Sequence, residues 1–260
     1  MKSTLLIPAI IMNLSLMNAQ ISSNQLFIEN KSPGNSFAGE SPEVSIFGNG
    51  GIRNSATGEQ AGNSPINGSI GALFKNSRSE LIIGFSVNNL KKIKIDDPAL
   101  FGPNLLIPDL EGLSFTISGT KYFSENFGIN ADVVIASSKW ELEPGLEVNS
   151  SPISIRVNAS YAPFGNFSKN SKNFVSLLFT GGYSLRGIIG NLGNKGALRE
   201  QYFGTSQKMF NGLELGSSLV LNSTKVFISI PILFGKKSVE SLTGGQVVIG
   251  ATIAGSLLKI

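Results

Sequence analysis

The sequence predicts an all-β chain that forms a single antiparallel transmembrane β-barrel of about ten strands, with eight to twelve possible. Three observations favour this fold class. Apolar and polar residues alternate with a period of two, the candidate strands are long, and short connections between them alternate with long ones. Most candidate strands have about 9 to 13 residues, and a tilted strand needs about 9 to 11 to cross a bilayer.

Composition agrees with this fold class. The chain has 260 residues, of which 41% are hydrophobic and 15% charged, and it contains no Cys and no His. Beyond the first twenty residues no apolar run reaches the length of about 18 that a membrane-spanning helix needs. The absence of Cys argues against a disulfide-stapled secreted scaffold.

The N-terminal stretch MKSTLLIPAIIMNLSLMNAQ predicts a signal peptide over residues 1–19, cut near Ala19 and Gln20. A buried N-terminal helix is the alternative. Residues 20–42 are rich in Ser, Asn, Gly and Pro and predict a flexible lead-in, so the barrel would occupy residues 43–260. The formal charge of +4 falls to +3 when Lys2 leaves with the signal peptide, which is too little to indicate nucleic-acid binding.

Ten candidate strands follow one another along residues 43–260. In each, one face is apolar, and the other is mostly Ser, Gly, Asn and Thr. A soluble sandwich would show more Lys, Glu and Arg on its water-facing side, so the pattern favours a crowded barrel interior with lipid outside. The predicted strands are 43–51, 65–75, 79–89, 111–123, 126–138, 151–162, 173–186, 211–222, 225–235 and 245–259.

The hairpin around residue 125 shows the alternation well. After the polar turn, Phe127, Ile129, Val133 and Ile135 share one face, which we assign to lipid, and Asp132 lies on the other, which we assign to the lumen.

Connection lengths and aromatic residues set the predicted orientation. Connections near 76–78, 124–125 and 222–224 are short, those near 52–64, 90–110, 139–150 and 187–210 are long, and the join near 163–172 is an exception. Outer-membrane barrels have short periplasmic turns and long outer loops. Aromatic residues at the predicted periplasmic ends would form an interfacial girdle of Tyr122, Phe123, Phe127, Tyr161 and Phe174.

With these features, the chain resembles the small outer-membrane β-barrel proteins of Gram-negative bacteria. The resemblance is carried by the hairpin SFTISGTKYFSENFGINADVVIA and the terminal strand QVVIGATIAGSLLKI. The chain departs from that pattern at its last residue, Ile260, where an aromatic residue is usual. The resemblance implies a fold and a location, with outer-membrane lipid and the outer-membrane assembly machinery as partners, but no named activity.

Isolated charges on the polar faces are the candidate chemical groups. We predict a lumen charge cluster of Glu80, Asp132, Arg156 and Glu214, interpreted as paired charges that fill a narrow barrel. Outer-membrane enzymes resemble one another in using a His as general base, and this chain has none. This excludes a Ser-His or Asp-His arrangement and leaves a Ser-Lys or carboxylate mechanism as the alternative. We predict no catalytic residue, no metal site and no cofactor. The Gly-rich stretch 190–200 lacks a phosphate-loop pattern and is interpreted as loop or bulge glycines.

Basic residues concentrate on the predicted outer side, including Arg186. We assign five of them as candidate lipopolysaccharide contacts, because charge-assisted bonds to phosphate suit Lys and Arg. They are Lys91, Lys92, Lys94, Lys195 and Arg199.

The function predicted from the sequence is that of a non-enzymatic, porin-like barrel in the bacterial outer membrane, reached after export. Its long outer loops would serve surface interaction, or the barrel would bind or pass a small, apolar ligand. The alternative is a secreted soluble β-sandwich that acts as an adhesin or a carbohydrate-binding module.

Overall fold

A computed structural model gives the fold. It describes residues 43–55, 67–76, 78–87, 93–94, 112–124, 126–164, 175–221, 224–235 and 246–259. The predicted signal peptide and lead-in, residues 1–42, lie outside the described residues.

The described residues form eleven strands and two short helices. The strands are β1 (Glu43–Ser55), β2 (Asn67–Asn76), β3 (Ser79–Val87), β4 (Ile93–Lys94), β5 (Leu113–Tyr122), β6 (Phe127–Glu143), β7 (Leu146–Phe164), β8 (Val175–Ile189), β9 (Met209–Leu221), β10 (Thr224–Leu233) and β11 (Val248–Lys259). The helices are α1 (Gly190–Asn194) and α2 (Gly196–Phe203).

Ten of these strands close into one antiparallel barrel. The order around the ring is β1, β2, β3, β5, β6, β7, β8, β9, β10, β11, and β11 pairs back to β1. The two-residue β4 adds a parallel pairing to the upper part of β6. A closed ring is not two packed sheets, so the sandwich alternative is wrong, and the predicted single barrel of about ten strands is confirmed.

Over most of the barrel wall, the side-chain alternation places mainly polar residues inside and large apolar residues outside. Outward-facing Phe85, Val157 and Tyr161 are 58%, 49% and 52% exposed, whereas inward-facing Asp132 is 2% exposed and Ser154 is fully buried. This is the reverse of a soluble protein, in which apolar residues fill the interior. The period of two in the sequence therefore reflects a barrel wall whose inner and outer faces meet different environments.

The two ends of the barrel differ. At one end, here the turn end, three of the four connections are short, as at residues 123–126, and the β7–β8 connection over residues 165–174 is the expected exception. The barrel's first strand begins and its last strand finishes at this end. At the other, the loop end, the connections between β1 and β2, β3 and β5, β8 and β9, and β10 and β11 are longer. This alternation is the one that the connection lengths predict.

The loop end departs from the prediction at two places. Residues 139–150 were expected as a long loop, but β6 and β7 continue as a hairpin that turns at Pro144 and Gly145, where Gly145 has a φ of 86°. Residues 190–200 were expected as loop or bulge glycines, but they lie in α1 and the start of α2. Gly204, with a φ of 68°, ends α2 in a left-handed conformation.

Within the described ranges, no helix has both the length and the apolar character that a bilayer span requires.

Candidate functional site in the barrel interior

A buried ion pair joins β6 and β7 on the inner face of the barrel. Asp132 and Arg156 stand directly opposite each other in the antiparallel register, and both face inward. Arg156 Nε and Nη2 donate to the same carboxylate oxygen, Asp132 Oδ2, at 2.9 and 2.7 Å. The Asp132 side chain is fully buried, so the guanidinium takes the place that water would hold beside that carboxylate.

Glu214 on β9 extends this pair into a cluster of four charges. Arg186 Nη2 on β8 donates to Glu214 Oε2, and Arg156 Nη1 lies 3.6 Å from Glu214 Oε1. The Ser229 hydroxyl on β10 also donates to Glu214 Oε1, at 2.7 Å. Two guanidinium groups and two carboxylates from four consecutive strands thus meet in the lumen with their formal charges balanced.

The structure brings together three of the four residues predicted for the lumen cluster and adds Arg186. Arg186 was counted among the surface charges of the predicted outer side, but its side chain is 2% exposed and pairs with Glu214 in the lumen. The sequence alternation could have predicted that Arg186 faces inward, because Arg186 is separated by two residues from each of the inward-facing Ser184 and Ile188. Glu80 has another neighbour, since Tyr122 Oη on β5 donates to Glu80 Oε2 at 2.9 Å.

The aromatic residues at the turn end follow the prediction in part. Phe123, Phe127 and Tyr161 face outward and are 36% exposed or more, and the Phe123 and Phe127 rings lie 5.9 Å apart. Tyr122 does not join them, because it faces the lumen and is 3% exposed. Its placement in the girdle is wrong. Phe174 lies outside the described residues.

A hydrophobic cluster fills the loop end of the barrel. Its centre is Trp140, which is fully buried and meets Phe203 of α2 edge-on at a ring distance of 5.2 Å. Side chains from six strands and both helices contribute, and they exclude water from this end of the lumen. The buried members are Trp140, Leu142, Val148, Ile188, Leu192, Phe203, Phe210, Leu233 and Val248.

The helices α1 and α2, here the cap, are held over this cluster by polar contacts. Arg199 Nη1 donates to the carbonyls of Leu192 and Gly193 at 2.6 and 2.8 Å, and its Nη2 donates to the carbonyl of Ser206. Burial lowers the pKa of this guanidinium from its ordinary value. Tyr202 donates to the Glu143 carboxylate at the tip of the β6–β7 hairpin, and this hydrogen bond raises the pKa of Tyr202.

The residues assigned to lipopolysaccharide contact differ in where they lie. Lys195 is exposed on the cap. Arg199 is 3% exposed and bonded to three carbonyls, so its assignment as a surface contact is wrong. Lys94 lies in β4, whereas Lys91 and Lys92 lie outside the described residues.

The described side chains offer no arrangement typical of metal binding: among them, no three His, Cys, Asp or Glu residues lie together. In the charge cluster, each carboxylate lies beside a guanidinium, and Glu214 also accepts the Ser229 hydroxyl. The two positive and two negative charges thus neutralise one another within the barrel.

Comparisons with known proteins give no family. No family model matches the chain, and no curated protein matches it. Solved structures similar to it include the NanC porin, at 7% identity over 82% of this chain and 100% of that chain, with a TM-score of 0.31. OmpF of Salmonella typhi, solved with daunomycin, is 9% identical over 82% of this chain and 97% of that chain, with a TM-score of 0.28. The assignment of a barrel depends on this chain's own strand pairing.

Proposed function

We propose that this protein is an integral β-barrel of the bacterial outer membrane. The observation that supports the proposal best is the reversed burial pattern, with large apolar side chains outside and ion pairs inside. An outward belt of Ile, Leu, Val and Phe is favourable in contact with lipid, whereas exposing the same apolar area to water is unfavourable.

The height of the belt supports the same proposal. On β8, a continuous run of outward positions extends from Val175 to Leu185, and the buried Gly187 separates this run from the exposed Ile189. Ten steps of about 3.3 Å give about 33 Å along the strand, or about 25 Å when the strand tilts by about 40°. This height matches the apolar band of outer-membrane barrels, which is about 25 Å. Above the belt, the outward Lys139 and Glu147 form an ion pair, as expected for a hairpin beyond the membrane.

The contents of the lumen favour a closed, non-enzymatic barrel over an open pore. The charge cluster occupies the middle and the hydrophobic cluster fills the loop end, so a hydrated solute would have to displace both. An apolar interior at the loop end favours a small apolar ligand over a hydrated one. Export through a cleaved signal peptide, loop-mediated surface interaction and contacts to lipopolysaccharide are further parts of the proposal.

Extraction and conductance test the proposal together. The protein should leave bacterial membranes only with detergent, and it should migrate differently on a gel before and after boiling. In planar bilayers it should show no steady conductance, because the lumen is filled. Recovery of folded protein from a detergent-free soluble fraction would contradict the membrane assignment, and a large constant conductance would contradict the closed lumen.

A further inference from the structure

One buried side chain bonds the parts of the cap to each other. Arg199 of α2 donates to the carbonyls of Leu192 and Gly193 in α1, and also to the carbonyl of Ser206, which follows α2. The backbone carbonyl of Arg199 in turn accepts from the Thr205 N–H at 3.4 Å. Because one residue joins both helices to the segment after them, residues 190–206 can move as one body.

The cap is joined to the barrel wall where β8 ends and β9 begins. Just above the last ladder pair of these strands, the Ile188 N–H donates to the Lys208 carbonyl at 2.9 Å. The chain leaves this neck through Gly190, whose φ is 79°, and returns through residues 206–208, which are exposed. A glycine on one side and an exposed segment on the other are typical of hinge positions.

The two faces of the cap differ. On the face towards the barrel, Leu192 and Phe203 are buried in the hydrophobic cluster, and the Phe203 ring meets Trp140 edge-on. Trp140 and Phe210 stand on strands whose ladders do not depend on the cap, so they would stay in place if the cap moved away. The opposite face is exposed at residues 190, 191, 194, 195, 197, 200 and 201.

Tyr202 ties the cap to the tip of the β6–β7 hairpin, because its hydroxyl donates to the Glu143 carboxylate. This hydrogen bond is exposed to solvent, so water can replace either partner when the bond breaks. The bond is therefore suited to a latch that opens and closes readily.

We propose that the cap is a lid over a pocket for a small aromatic molecule, and that the Phe203 ring occupies this pocket until such a molecule replaces it. The class of ligand follows from the occupant, since the strands already accommodate a phenyl ring against Trp140 among apolar side chains. This inference rests on the proposed function, because it specifies the apolar ligand of the loop end and the way in which that ligand enters.

Trp140, the one tryptophan of the chain, reports on the pocket. Bromobenzene is the probe, because it matches the Phe203 ring in size and its bromine quenches tryptophan on contact. For the wild-type protein in phosphatidylcholine vesicles, quenching should rise to saturation. Tyr202→Phe removes the latch but keeps the ring, and it should lower the half-maximal concentration about threefold. Phe203→Ala removes the occupant and should lower that concentration further.

A cross-link tests whether the cap must move, and the chain has no native Cys to interfere. Tyr202→Cys with Glu143→Cys, joined by bismaleimidoethane, ties the cap to the hairpin and should raise the half-maximal concentration about tenfold. The same double variant treated with N-ethylmaleimide carries similar modifications without the tie, and it should behave like Tyr202→Phe.

A second control fixes the cap internally without tying it to the wall. Gly196→Cys with Ser206→Cys should form a disulfide inside the cap, because a Cβ at residue 196 would lie 3.9 Å from the Ser206 Cβ. If the cap moves as one body, this disulfide should leave quenching unchanged.

The outcomes separate the lid from the proposed function. Quenching of Phe203→Ala, without quenching of the wild-type protein or of Tyr202→Phe, would overturn the lid and support the apolar site. Equal quenching of the cross-linked and the N-ethylmaleimide-treated protein would also overturn the lid. Absence of quenching in folded Phe203→Ala would contradict the apolar site itself. Heat-modifiable migration shows whether each variant is folded, and the latch and cross-link variants carry the test if Phe203→Ala does not fold.

Discussion

Substitution of Arg156 by Met tests whether the charge cluster stabilises the barrel. The change removes both hydrogen bonds that Asp132 Oδ2 accepts, and it leaves a carboxylate with a fully buried side chain. Breaking a buried ion pair from one side costs about 3 to 5 kcal/mol, because the remaining charge is not solvated. We therefore expect Arg156→Met to lower the free energy of unfolding by about that amount.

The double substitution Arg156→Met with Asp132→Leu should recover most of that loss, because the pair is replaced by apolar groups and no charge remains uncompensated. The coupling energy between the two sites should then be about 3 kcal/mol or more. Lys139→Met is the matched control, since the side chains of Lys139 and Glu147 are 46% and 32% exposed. Removing one partner of an exposed pair should cost less than about 1 kcal/mol.

The assay is urea unfolding of the reconstituted barrel, followed by the fluorescence of Trp140, which moves from a buried apolar site to water. The reasoning is refuted if Arg156→Met costs no more than Lys139→Met. It is also refuted if the double variant is less stable than the single variant, because the loss would then not come from an uncompensated Asp132.

Three further substitutions test the wall, the interior and the cap. Val133→Arg places a charge on the outward side of β6 and, in the proposed membrane setting, should make assembly less favourable by about 2 to 4 kcal/mol near the midplane, as measured by the heat-modifiable fraction. Gly182→Ala would bring a Cβ within 2.1 Å of the Val157 carbonyl and should cost about 1 to 3 kcal/mol in urea unfolding. Gly119→Ala, with nothing within 4 Å, should change little. Arg199→Met removes the bonds to three carbonyls and should cost about 3 kcal/mol locally, so amide exchange should rise in the cap and not in the strands.

Much of the barrel could be predicted because successive residues of each strand face alternately inward and outward, and the two faces favour different residue types. Ile153 and Ile155 face outward and Ser154 and Arg156 face inward, so the alternation in the sequence gives each strand and its facing directly. The same parity would have placed Tyr122 and Arg186 inside. They were misplaced because an aromatic residue at a strand end and a basic residue near a long connection were interpreted by residue type.

The loop end was harder to predict because its interior is apolar and its outward side chains are polar, unlike those of the wall below it. In the upper hairpin, Lys139, Glu141 and Glu147 face away from the interior and are typical of a loop, whereas Trp140, Leu142 and Val148 pack inward. The cap helices are short and contain three glycines among residues 190–203, so they depend on the cluster beneath them and on Arg199. The sequence of residues 190–203 alone therefore gives little indication that they form helices.

A single-cysteine scan of residues 127–135 on β6 tests the central claim most directly. Each position in turn receives a spin label, and its collisions with membrane-dissolved oxygen and with a water-soluble nickel chelate are compared. The structure predicts that labels at Phe127, Ile129, Val133 and Ile135 meet oxygen in lipid, and that labels at the inward positions between them are shielded from it. Labels at the odd positions that meet the nickel chelate as readily as oxygen would contradict the membrane-spanning barrel.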